Sequence, residues 1–303
     1  MVVTGAVARQ DTVATIIDTT TDGGTHWTSA TRSFSIGDQC PACTSAQLGK
    51  PARSALHAVI SLTPAGNGMI SVAGVPATGS APQAIYPVRG FVPAAQPSTT
   101  TDGTEMTVIA AGSQADAVAI FAGNGAASSV AVDATNDAGR QWQPTGLTVA
   151  GHGGMAVEAI GPSGYVLAAQ PDSAQPSPGA GRIWESTNGA ATWQRFNPLP
   201  DHEPGVVESL ATTPTGPVLA LVAPYDIATG LQAGPDLLTV QSALGRPWTV
   251  AARFRRSIFG SDGATPAGIA FLSASAGLTW NNGSGLASTT DGGAHWHPLH
   301  VSA

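Results

Sequence analysis

The residues of this 303-residue chain that could do chemistry are few and scattered. Arg253, Arg255 and Arg256 form the densest basic cluster. In an extended strand Arg253 and Arg255 share a face, where two guanidinium groups can grip an anion. The same pattern is that of a solvated strand edge, whose charge discourages edge-to-edge pairing, and we adopt that reading. His295, His297 and His300 form a His-x-His-x-x-His string, read as surface histidines rather than metal ligands. Cys40 and Cys43 are the two cysteines. They cannot complete a four-ligand zinc site by themselves, and their loop setting in Cys-Pro-Ala-Cys suits a small disulfide better than a redox motif opening a helix. Such a disulfide implies an oxidising compartment. The 19 carboxylates are spread thinly, and no spacing singles out an acid/base pair. No cofactor or metal is expected.

These side chains must be positioned by short strands. The 37 Gly and 23 Pro residues with a background of Ala and Val suit many strands joined by turns. A net charge of -7 without a basic stripe argues against nucleic acid and anionic membranes as partners. No run approaches the roughly 18 apolar residues of a membrane span. The opening Met-Val-Val-Thr-Gly-Ala-Val-Ala-Arg carries a charge where an export signal needs an apolar core, so if the parent protein is secreted its export signal is expected upstream or already removed.

One turn recurs. It reads Thr20-Thr21-Asp22-Gly23-Gly24-Thr25-His26-Trp27 and again Thr289-Thr290-Asp291-Gly292-Gly293-Ala294-His295-Trp296, with weaker copies ending in Trp142 and Trp193. In each, Asp22, Asp137, Asn188 or Asp291 stands five residues before a Trp. A carboxylate or amide oxygen there can accept backbone N–H bonds, Gly24, Gly139 and Gly293 can supply positive φ, and the Trp can pack inward from the next strand. The gaps between these tryptophans are 115, 51 and 103 residues, so two gaps are about double the third. Gly245-Arg246-Pro247-Trp248 divides the last gap, and Tyr86 lies near the middle of the first. A period of about 50 residues fits a four-stranded blade. The expectation is a single all-β propeller over residues 1–303, six-bladed, with the first blade abbreviated because only 26 residues precede Trp27. A seven-bladed parent shortened at its N-terminus is the alternative.

The Ser/Thr-x-Asp-Gly-Gly-x-x-Trp turn resembles the Asp-box, or bacterial neuraminidase repeat, of sialidase-like, sortilin-type and photosystem II assembly factor-like propellers. The resemblance spans residues 20 to 296 and implies a scaffold more than an activity. It places the box between the third and fourth strands of a blade, away from the ligand face, which makes the box residues structural. It also implies a checklist for an enzyme: an arginine clamp, a Tyr nucleophile activated by a Glu, and an Asp acid/base. The Arg-Ile-Pro element of such enzymes is absent, since Arg9 is followed by Gln10 and Asp11. Of three tyrosines, Tyr225 is the best candidate, with Glu203 and Glu208 upstream and Arg253 in the basic cluster. The expectation is therefore a monomeric, non-catalytic binding module outside the cytoplasm, extracellular or at the cell surface, for a glycan or protein ligand. An exo-sialidase-type hydrolase and a protein-assembly or stability factor are the alternatives.

Overall fold

In the computed structural model the described residues are 2–9, 12–19, 26–35, 57–63, 65–73, 83–95, 97–101, 105–122, 129–150, 155–169, 182–196, 205–213, 216–226, 231–232, 234–254, 258–259, 266–271, 273–281 and 285–299. The chain falls into two compact units, Met1–Thr148 and Val149–Ala303.

The first unit opens with β1 (Val2–Arg9), β2 (Thr12–Thr19) and β3 (Thr28–Ser35), a three-stranded antiparallel meander. Its second sheet holds β4 (His57–Leu62), β5 (Gly68–Ala73), β6 (Gln83–Arg89) and β7 (Val92–Pro93), with β8 (Thr99–Thr101) added alongside β6. Its third holds β9 (Glu105–Ala111), β10 (Ala117–Ala122), β11 (Ser129–Thr135) and β12 (Gln143–Ala150).

The second unit contains three sheets. They are β13 (Met155–Ile160), β14 (Gly164–Ala169), β15 (Arg182–Ser186) and β16 (Gln194–Phe196); then β17 (Gly205–Thr212), β18 (Val218–Asp226), β20 (Leu237–Gln241) and β21 (Thr249–Arg253), with β19 (Leu231–Gln232) on β18; then β22 (Gly268–Phe271), β23 (Gly277–Trp280), β24 (Leu286–Thr289) and β25 (His297–Leu299).

The fold is all-β and of the β-propeller kind, with five four-stranded blades. This corrects the expected six. The period divides the chain into six, but a blade needs four paired strands, and among the described residues no strand joins β1, β2 and β3.

Burial explains why each blade holds. In the second strands β5, β10, β14 and β18, successive side chains are buried on both faces, as strands flanked by other strands and covered above and below must be. The fourth strands β16, β21 and β25 are largely exposed. First strands of successive blades lie side by side within each unit, β4 by β9, and β17 between β13 and β22. A serine links such neighbours twice: Ser61 Oγ accepts from Ala111 N at 2.8 Å, and Ser209 Oγ accepts from Ile269 N at 3.3 Å.

Tyr86 does not occupy the place of a box tryptophan. It sits within the third strand β6, paired with Ile70 and fully buried. The turn that follows β6 is instead closed by Gly90 and Phe91, both at positive φ (54° and 66°). The Phe91 ring lies so close over Gly66 that a Cβ there would meet it at 2.4 Å. A two-residue turn with both φ positive is the tight hairpin connection favoured by strand twist.

Candidate functional site

Three box turns are described in full, each between the third and fourth strands of its blade, and they share one hydrogen-bond plan. Thr135 Oγ1 donates to Asp137 Oδ1 at 2.8 Å and accepts from Gly139 N, while Gln141 N donates to Asp137 Oδ1 at 3.0 Å. Ser186, Asn188, Ala190 and Thr192 repeat the plan, as do Thr289, Asp291, Gly293 and His295. The chain reverses through two consecutive positive φ values in all three, at Ala138–Gly139, Gly189–Ala190 and Gly292–Gly293. Bonds from Gln141 to Asp137, and from His295 to Asp291, hold both carboxyls below their usual range.

Trp142 and Trp296 anchor their turns by packing. Trp296 meets Phe254 at a tilt and Phe271 edge-on, with ring centroids 5.3 and 6.1 Å away, and Trp142 meets Phe121 edge-on at 5.6 Å. The buried indole nitrogens of Trp142, Trp193 and Trp296 have no hydrogen-bond partner among the described residues. Asp22, Gly24, Cys40, Cys43, Glu203, Arg255, Arg256 and His300 lie outside the described residues. Trp27 is described, and 48% of it is exposed.

Trp248 is anchored differently. Its turn lacks the Ser/Thr and Asp of the box, and the carboxylate of Glu185, in β15 of the preceding blade, takes their place. Glu185 is 3% exposed. Its Oε2 accepts from Gly245 N at 2.7 Å, and its Oε1 accepts from Gln241 Nε2 at 2.7 Å and Trp248 Nε1 at 3.3 Å. Desolvation nevertheless outweighs these donors and raises its pKa.

The carboxylates that depart most from ordinary behaviour lie in the second unit. The register between β17 and β18 slips between Val207 and Ser209, which makes Glu208 the extra residue of a bulge. Bulges re-aim side chains. Glu208 Oε2 is buried without a hydrogen-bond partner among the described residues. Burial, reinforced by the charge of Asp236, pushes Glu208 up to about 7. Asp236, which immediately precedes β20, is 2% exposed and is pushed up to about 6 by burial, against the opposing bond from Gln232 Nε2. On the neighbouring first strand, burial raises Glu158 to about 7, opposed by a hydrogen bond with Thr212. A carboxyl near 7 can be a proton donor at neutral pH, and two interacting carboxyls titrate as a pair.

The other residues of the enzyme checklist are elsewhere in that blade. Tyr225 lies in the far end of the second strand, where its backbone pairs with Gln232. Arg253 is exposed on the fourth strand, opposite Leu237, with β18 and β20 between it and the strand of Glu208. Sequence reasoning reached Glu208 but missed Glu158, Glu185 and Asp236. Glu158 had a visible signal, a lone charge within the apolar run Met155–Ile160. Asp236 follows Gly234-Pro235 and reads as an ordinary turn residue.

No protein-family model matches the chain, and no curated protein matches it. Among solved structures it is similar to the β-propeller domain of the trilobed protease of Pyrococcus furiosus, with 9% identity over 99% of this chain and 83% of that one and a TM-score of 0.49. It is also similar to YCF48 from Cyanidioschyzon merolae (13% identity, 81% and 85% covered, TM-score 0.42). A third is the α-L-arabinofuranosidase of Fusarium graminearum (13% identity, 81% and 80% covered, TM-score 0.43). These likenesses assign no activity to the chain.

Proposed function

We propose that this chain is a non-catalytic β-propeller binding module of the Asp-box type, working outside the cytoplasm on a glycan or protein ligand. The observation that carries this reading is the separation of the basic candidate from the acidic one: Glu208 stands on the first strand and Arg253, exposed, on the fourth strand of one blade, with β18 and β20 between them. A carboxylate clamp must face the pocket of the catalytic acid, and the carboxylate that acts on Glu208, Asp236, is itself buried. The box turns support the family resemblance through their shared plan of bonds. The test is hydrolysis of a fluorogenic sialoside by the purified chain. No turnover above background is expected, and turnover abolished in both Tyr225→Phe and Glu208→Gln would replace this reading with a hydrolase.

A hydrolase remains the second reading because one observation favours it. Glu208 and Asp236 are an interacting carboxyl pair poised near neutrality, the property a general acid requires.

A further inference from the structure

The blade that holds Glu208 has two distinct ends. Thr212 pairs with Val218 and Val218 with Gln241, so β17 finishes, β18 begins and β20 finishes beside the turn that carries Trp248. At the other end Val207 pairs with Val222 and Val222 with Leu237. Glu208 follows Val207 and Asp236 precedes Leu237, so the two acidic residues flank the same stretch of β18 from its two sides.

Both sit where the sheet is least continuous. Glu208 is the extra residue of the bulge, which interrupts the ladder between β17 and β18, and its Oε2 is buried without a hydrogen-bond partner among the described residues. Asp236 Oδ1 accepts from Gln232 Nε2 in β19, and its carbonyl accepts from Phe254 N, just past β21, at 2.8 Å. Asp236 therefore joins β19, the start of β20 and the end of β21.

The neighbouring elements do little to neutralise the pair. β14 and β22, which pack against β17, contain no acidic or basic residue. β13 brings Glu158, which bonds with Thr212 at the far end of β17, and β18 ends in Asp226, whose backbone pairs with Leu231. β21 brings Arg253, opposite Leu237 but exposed to solvent. Two like charges on either side of one strand, withdrawn from water, repel each other and favour any opening that hydrates them.

We propose that Glu208 and Asp236 form a proton-operated latch: while the pair holds a proton the starts of β17 and β20 stay closed on β18, and when both carboxyls are charged this end of the blade opens. Both groups lie above the usual carboxylate range, so the change falls near neutral pH, and closure is lost as pH rises. The Asp-box resemblance gives ligands the end away from the turn between third and fourth strands, which is the latch end. That consequence for ligands rests on the binding-module reading; the latch itself does not.

The experiment is hydrogen-exchange mass spectrometry of the full chain at pH 5.5 and pH 8, with labelling times scaled to the intrinsic amide rate. In wild type, residues 205–209 and 237–239 should be protected at pH 5.5 and exchange about tenfold faster or more at pH 8, while β14 and β15 stay protected. Glu208→Gln and Asp236→Asn should each keep both segments protected at pH 8, and Glu158→Gln should leave the wild-type response in place. Equal protection at the two pH values, or a loss shared equally by β14 and β15, would overturn the latch, and wild type alone gives either result where a variant does not fold. A response that survives both Glu208→Gln and Asp236→Asn, or that Glu158→Gln abolishes, would overturn it as well. None of these outcomes touches the non-catalytic reading, which fails only on turnover in the hydrolysis assay.

Discussion

The carboxyls of Glu158, Glu208 and Asp236 set how this protein responds to pH. Their folded values, about 7, 7 and 6, lie above the roughly 3.9–4.3 of Asp and Glu in an unfolded chain. Between those limits the folded state holds protons that the unfolded state has released, so stability falls as pH rises through the window and levels off above it. The thermal midpoint should be higher at pH 5.5 than at pH 8, and Glu208→Gln should shrink that difference; a midpoint that rises from pH 5.5 to pH 8 would contradict the assignment. Glu185 acts differently, since it accepts from three donors across a blade boundary. Glu185→Ala leaves the buried Trp248 indole N–H without its acceptor and takes one partner from Gln241 and Gly245, and should cost about 2 kcal/mol in urea unfolding, with Glu185→Gln losing less.

At the scale of the element, the box turn is a backbone device with a side-chain clasp. Thr289→Ala removes the hydroxyl that both donates to Asp291 and accepts from Gly293 N, and should destabilise by about 1–3 kcal/mol, with Thr289→Ser restoring most of it. Two glycines separate strain from crowding. Gly189 has φ 69° with open space around it, whereas Gly293 has φ 93° and a Cβ there would meet Leu238 Cδ2 at 2.3 Å. Gly293→Ala should therefore lower the urea midpoint more than Gly189→Ala does. This turn was legible in the sequence because all its bonds span four residues or fewer and every participant appears in the motif. Strand limits near it were legible too: β22 to β25 begin and end within a residue or two of where turn residues mark them. Phe91 was not legible, because no composition rule puts an aromatic residue at positive φ.

For the whole molecule, protection from exchange should follow strand position within each blade rather than position along the chain. Backbone amides of β5, β10, β14 and β18 should exchange slowest and those of β16, β21 and β25 fastest in hydrogen-exchange mass spectrometry, since the former are buried on both faces. Uniform protection across a blade would contradict this. The number of blades was the feature least available from sequence, because a period counts turns whereas a blade is defined by pairing between strands. The partners of Glu185 were equally hidden, being 56 to 63 residues away.

That separation gives the second unit an order of assembly. During synthesis Glu185 emerges well before Gln241, Gly245 and Trp248, so its carboxylate stays hydrated while the next blade is still being made. The loss of that water is deferred until the later turn arrives. A nascent chain arrested after Phe196 holds a complete set of β13 to β16 strands with Glu158 still waiting for Thr212 and Glu185 for its lid.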